Sequence, residues 1–384
     1  MAGKEIIVLG GGIGGVAVSD RLRRLLPPEH RITVIDKSPD HIFLPSLPWV
    51  ATGYRRPAGI KRSLRRLENK GISFINQPVS TVGVAERTVT AGGEERRFDY
   101  LVMSLGADLY PENITGLSEA AHFFYTLTGA EALKEALSDF KGGKVVILIP
   151  GMPYKCPAAP YECAMLLHDY FDAKNIRYKV EISIYSVEPH PLPVAGPLVG
   201  GKVTDLIKDR DIDATFNAKT AQVDKTSRQV RFEGGEVVDY DLLIAVPPHS
   251  SPAVVKEAGL ANEAGWVPVD PGDLSTVHKD IYAIGDITAI KLPNGMLLPK
   301  AGALAHGQAE VVAANIAAVI KHEATTARFD GIGSCFMEMG KGKGTMAVGD
   351  FYAEPDPQVK VRNPGHLWHW AKVAYERYWL WRMF

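Results

Sequence analysis

Cysteine is scarce in this chain: Cys156, Cys163 and Cys335 are the three among 384 residues. Three scattered thiols exclude the disulfide framework that staples small secreted domains. Charge of one sign is lacking as well. There are 43 Lys and Arg against 44 Asp and Glu, so no basic bias supports nucleic-acid binding. Long apolar runs are missing too. The most apolar stretch, Val311–Ile320, is short and lies between Glu310 and Lys321, so no membrane-spanning helix is expected. Met-Ala-Gly-Lys leads straight into a strand, without a signal peptide or twin-arginine leader, which points to the cytoplasmic side. No cluster of residues has metal-ligand spacing.

What is present is an α/β pattern with many short connections, long enough for two or three domains. Glu5–Leu9 reads as a buried strand. Gly10, Gly12 and Gly15 follow in G-x-G-x-x-G spacing and open an amphipathic helix, Val16–Leu26. The next strand, Arg31–Ile35, ends at Asp36. A glycine loop between strand and helix lets a diphosphate approach the backbone N–H groups, and the acid binds an adenosine ribose. This unit binds a dinucleotide, and by itself it does not distinguish FAD from NAD.

A second strand, Lys144–Ile149, should lead into another phosphate loop. It leads instead into Pro150-Gly-Met-Pro153-Tyr-Lys-Cys156. Prolines remove backbone donors, and methionine blocks close approach. The second nucleotide site is therefore expected to be degenerate, with a thiol in its place. Lys155 and a helix starting near Ala158–Pro160 are expected to favour the Cys156 thiolate. Cys163, on that helix, reads as a buried apolar residue.

Two further segments resemble the FAD motifs of glutathione-reductase-like flavoproteins: Phe98–Ala107, containing Gly106, and Ile281–Asp286. Several more resemble the sulfide:quinone oxidoreductases, a family that also holds the flavoprotein subunit of flavocytochrome c sulfide dehydrogenase. They are Phe43–Gly53 with Pro45, Cys156 with Glu162 six residues on, Pro299-Lys300-Ala-Gly302, and Cys335-Phe336. The resemblance spans essentially the full length. It implies two Rossmann-like domains: an FAD domain from 1–112 and 265–325, and a degenerate second domain, 113–264, inserted between. A C-terminal amphipathic region, 326–384, would associate with quinone and membrane.

The same resemblance implies site roles. FAD, non-covalent for want of a cysteine ahead of Cys156, would contact Gly10, Gly12, Gly15, Asp36, Lys37, Pro45, Gly106, Asp286 and Lys300. Cys156 and Cys335 would form a redox pair, bridged at rest, that oxidises sulfide to polysulfide or elemental sulfur. Glu162 would take a proton. Quinone would lie near Phe336, Phe351 and Tyr352. The chain departs from the family where many members have a further cysteine and, four residues on, a histidine. Here Tyr125 and Gly129 stand in those places, and His190 after Glu188-Pro189 is a weak histidine candidate.

The tail, His366–Phe384, holds four of the six tryptophans. It reads as a helix with polar positions His369, Lys372 and Glu376 and a broad aromatic surface of Trp368, Tyr375, Tyr378, Trp379, Trp381 and Phe384. Such a helix suits a membrane interface; a terminal helix packed on the core or at a homo-oligomer interface is the other reading. A peripheral membrane enzyme is the expectation. A cytochrome-linked sulfide dehydrogenase subunit and a type II NADH:quinone oxidoreductase are the alternatives, with a non-enzymatic redox-signalling flavoprotein as a third.

Overall fold

The computed structural model describes residues 3–384. The first unit begins with β1 (Glu5–Leu9), α1 (Ile13–Leu25) and β2 (Arg31–Asp36). A short helix α2 (Leu47–Ala51) and strands β3 (Ser73–Asn76) and β4 (Tyr100–Met103) follow. The strands are rich in Ile, Val and Leu because both faces of a parallel sheet are buried. Gly10 adopts φ +99°, and a Cβ on Gly15 would lie 1.8 Å from the Gly10 carbonyl oxygen. Only glycine permits this tight entry from β1 into α1.

The chain crosses to a second unit and back through two short strands, Asp108–Leu109 and His249–Ser250, which pair antiparallel. The second unit contains α3 (Leu127–Asp139), β5 (Gly143–Ile149), α4 (Ala159–Ala173), β6 (Val180–Ser186), β7 (Ile212–Thr215) and β8 (Leu242–Ala245). Its four-stranded sheet is parallel, in the order β7-β6-β5-β8. Packing with the first unit resumes before residue 265, since Val255 and Leu260 are buried in one cluster with Ile7 and Leu9.

β9 (Ile281–Ala283) then completes the first sheet, in the order β9-β4-β1-β2-β3, all parallel. Helix α5 (Gly302–Ile320) packs along α1. Here the expectation of no spanning-length helix is corrected. Gly302–Glu310 joins Val311–Ile320 in one helix of 19 residues and hydropathy 1.3, long and apolar enough to cross a membrane. It is also 56% buried, against the protein's own core.

An antiparallel sheet of β10 (Ile332–Glu338), β11 (Gly344–Asp350) and β12 (Gln358–Val361) follows. The last helix, α6 (His366–Arg382), lies across both units. Its aromatic surface is exposed as expected at Tyr378 and Trp381 but not at Trp379. Lys372 and Glu376 point inward, and His369 pairs inside with Glu338, whereas Leu367, Trp370, Tyr378 and Trp381 are exposed. Trp379, assigned from sequence to the outer surface, is 1% exposed, and Tyr375 packs edge-on against Phe43. The inward charges are tolerated because each has a partner on another element.

Candidate active site

β5 ends at Ile149, and α4 does not begin until Ala159. Cys156 therefore precedes the helix, in a left-handed conformation of φ 52° that costs a non-glycine residue energy. Its backbone N–H donates to the Lys300 carbonyl at 2.7 Å, and its carbonyl accepts from Ala159 at the helix start. These backbone groups are spent on the protein, so the turn offers no phosphate cradle.

Glu188, two residues beyond β6, lies where such a unit presents its ribose-binding acid. It is fully buried, and it accepts hydrogen bonds from Tyr161 (2.6 Å) and Ser186 (3.0 Å). Burial raises its pKa. Sequence reasoning passed over this residue, although Glu-Pro after a strand was the available signal.

Cys335 comes from the middle of β10. It lines, with Cys156, a cavity of ≈ 310 Å³ whose wall is almost wholly apolar. Phe336, Phe351 and Lys300 also line it, as do Leu192 and Val194. The two thiols are unbonded, and the Cys335 thiol donates to the Phe336 carbonyl at 3.4 Å. Cys156 is pushed well up by its interaction with Cys335 and by burial. Cys335 is pushed down by the same interaction. The expected bias toward a Cys156 thiolate is thus reversed. Lys155 explains the difference: its side chain leaves the thiol and reaches toward the Ala107 carbonyl (3.5 Å) and the Asp286 charge.

Lys300 is buried, and its ammonium donates to the Asp286 carbonyl (2.5 Å) and sits 3.4 Å from the Trp266 ring centroid. Burial lowers its pKa to about 8 against the opposing Asp286 charge. Asp286 is raised by burial, with Lys155 and Lys300 acting against that.

Glu162 lies on the first turn of α4, beneath the cysteine pair and outside the cavity wall. It is ion-paired with Lys372 of α6, and each is 3% exposed. Burial raises the Glu162 pKa, with Lys372 opposing it. The Lys372 ammonium and the Arg55 guanidinium each sit 4.3 Å from the Trp49 ring centroid. Glu376 accepts from Arg55 at 3.0 Å and from Ser46. Lys372 was legible only as a polar helix position, because its partners are remote in sequence.

Other expected residues scatter. Asp36 stands at the tip of β2 and accepts from Gly11 (2.5 Å) and Ser38 (2.7 Å) N–H groups, beside the glycine loop as expected. Gly106 has φ +69°. Lys37 is exposed and pairs with Asp108. Pro45 sits in the 3-10 turn Leu44–Ser46, outside the cavity wall. Tyr352 is turned away from the cavity: its hydroxyl donates to Pro271 O at 2.9 Å, and its ring meets Phe329. Cys163 is fully buried in the core. His190 contacts its own neighbour, Pro191 O.

Tyr125 is buried near Cys156 and Glu188. A Cβ at Gly129 would lie 1.9 Å from the Phe123 carbonyl oxygen, so no histidine fits there without backbone movement. Among the described residues no group of His, Cys, Asp and Glu is placed to hold a metal ion.

A glycine cradle opening α1, an acid at the end of the next strand and a return strand followed by a 3-10 turn that carries Asp286 define a class of flavin-binding oxidoreductase. The family model for pyridine nucleotide-disulphide oxidoreductases matches residues 4–309. Within that class the chain belongs to the sulfide:quinone oxidoreductase family. It is 31% identical to the sulfide-quinone reductase of Aquifex aeolicus, covering 99% of this chain and 91% of the relative. It is 28% identical to the mitochondrial sulfide:quinone oxidoreductase of Mus musculus, over 91% of this chain and 79% of that one. The crystal structure of the sulfide:quinone oxidoreductase from Aquifex aeolicus superposes with a TM-score of 0.89 at 28% identity, over 99% of this chain and 91% of the other. The cofactor of the family is FAD, and the glycine cradle and Asp36 fit it: the ideal Cβ position of Gly12 meets nothing within 4 Å, which leaves the mouth of the loop open.

Proposed function

We propose that the chain oxidises sulfide at the Cys156–Cys335 pair and passes the electrons through FAD to a membrane quinone. One observation carries the reading: two thiols from distant elements face each other in an apolar cavity, where the second unit would otherwise present a nucleotide cradle. Gly10, Gly12, Gly15 and Asp36 would hold the diphosphate and adenosine end of non-covalent FAD, with Gly106, Asp286 and Lys300 toward the flavin. FAD, when bound, supplies a two-electron acceptor.

In the oxidised enzyme the two cysteines are joined. Hydrosulfide attacks the Cys156 sulfur and breaks the S–S bond. Cys335 leaves as thiolate, because it is the thiol whose pKa the site lowers. Cys156 then carries a persulfide. Loss of its proton and of two electrons from the pair rejoins the cysteines through one added sulfur. Quinone takes up two electrons and two protons. Each turnover consumes one hydrosulfide and one proton and yields one bridging sulfur and one quinol. Sulfur atoms accumulate on the bridge and leave as polysulfide or elemental sulfur.

Phe336 and Phe351 support a quinone position beside the cavity. The exposed Leu367, Trp370, Tyr378 and Trp381 support attachment of α6 to a lipid surface. The test is sulfide-dependent quinone reduction by Cys156→Ser and Cys335→Ser proteins that retain FAD. Loss of turnover in both is expected, and full turnover in either contradicts the mechanism.

A further inference from the structure

His41 lies in the short strand Asp40–Ile42 and is 1% exposed. One ring nitrogen, Nδ1, is 2.8 Å from the Gly11 carbonyl oxygen, inside the glycine loop. The other, Nε2, accepts the indole N–H of Trp379 at 2.9 Å. Indole only donates, so Nε2 carries no proton. The ring proton therefore sits on Nδ1 and donates to Gly11. Burial keeps the ring neutral, with a pKa lowered to about 4. His306 closes one side of Trp379 edge-on at 5.4 Å, and Phe384 covers His41 at 5.2 Å.

A second tie runs in parallel. Lys70 donates to the Arg382 carbonyl (2.9 Å) and pairs with Asp20 of α1 (2.8 Å), which Arg382 also meets at 3.4 Å. The last turns of α6 are thus fastened to the nucleotide-binding unit at both its loop and its helix.

We propose that His41 and Trp379 are positioning residues that strap the glycine loop in its FAD-binding conformation, so that FAD retention depends on the docked C-terminal helix. A glycine-rich loop has more backbone freedom to lose than any other, and fixing it beforehand removes that cost from ligand binding. Without the Trp379 N–H, His41 Nε2 is buried with no donor. The ring then rotates or the loop shifts, and either change frees Gly11. The inference needs FAD but not the sulfide chemistry.

The test is titration of deflavinated protein with FAD, read by flavin fluorescence, for Trp379→Phe, His41→Gln and the exposed-site control Trp381→Phe. Trp379→Phe and His41→Gln are expected to bind FAD roughly five- to thirtyfold more weakly, and the control within about twofold. An unchanged FAD dissociation constant in Trp379→Phe, with only a lowered melting temperature of the flavin-free protein, overturns the proposal. If that variant does not stay folded without flavin, the rate of FAD release from its holoprotein below the melting temperature decides. Faster release supports the strap, and release at the wild-type rate overturns it.

Discussion

Lys372 and Glu162, 210 residues apart, form an ion pair sealed between α6 and α4 beneath the cysteines. Removing one partner leaves the other charge buried and alone. Lys372→Met is therefore expected to destabilise the protein by about 3–5 kcal/mol, and Glu162→Gln by less, because the amide still accepts from the ammonium. The double change Glu162→Gln with Lys372→Met should recover part of the loss. Urea unfolding of the three variants measures it; equal stability of Lys372→Met and wild type contradicts the sealed pair.

The cysteine pair predicts an asymmetry in alkylation. With Cys335 the thiolate side and more open to the cavity, a small alkylating reagent should modify it first near neutral pH. Peptide mass mapping after brief treatment of reduced protein should find Cys335 labelled ahead of Cys156 and Cys163. Preferential labelling of Cys156 would reverse the roles given to the two sulfurs.

His41 predicts a pH effect of definite sign. Its folded pKa, about 4, lies below its ordinary 6.5, so the unfolded chain binds its proton first as pH falls. The stability it secures is complete above pH 6.5 and is lost on acidification toward pH 4. The loss is on the order of 3 kcal/mol. His41→Gln starts from lower stability and should lose correspondingly less over that window. Parallel curves for the two proteins in thermal unfolding would contradict a neutral buried imidazole.

The outward face of α6 predicts a separation of functions. Trp370→Ser with Trp381→Ser removes exposed indoles and no internal contact of the site. Vesicle co-sedimentation should fall roughly tenfold or more, while reduction of the bound flavin by sulfide in solution is unchanged. Undiminished sedimentation would show that another surface meets the lipid.

Much of this arrangement was readable along the chain because it is local. The strand, the three glycines and Asp36 lie within one βαβ unit, and their spacing alone builds the dinucleotide cradle. Cys156 stood out because prolines replaced a glycine loop at a fixed place in a repeating pattern. What was not legible depends on partners distant in sequence. The row His369, Lys372 and Glu376 reads only as polar helix positions until Glu338, Glu162 and Arg55 are brought against it. Trp379 looks like an outer aromatic until His41 meets it. Lys155 adjoins Cys156 in sequence, yet Asp286 draws its charge away. Tyr352 follows Phe351 in the turn after β11, but its hydroxyl reaches the Pro271 carbonyl, remote in sequence, and its ring leaves the cavity.

The most direct test is anaerobic flavin absorbance in stopped flow, with sulfide added to one sample, NADH to another, and a quinone analogue last. The account predicts bleaching by sulfide, no bleaching by NADH, and recovery of the oxidised spectrum with quinone. Rapid bleaching by NADH with none by sulfide would contradict it, and would make Cys156 a structural residue in an NADH dehydrogenase.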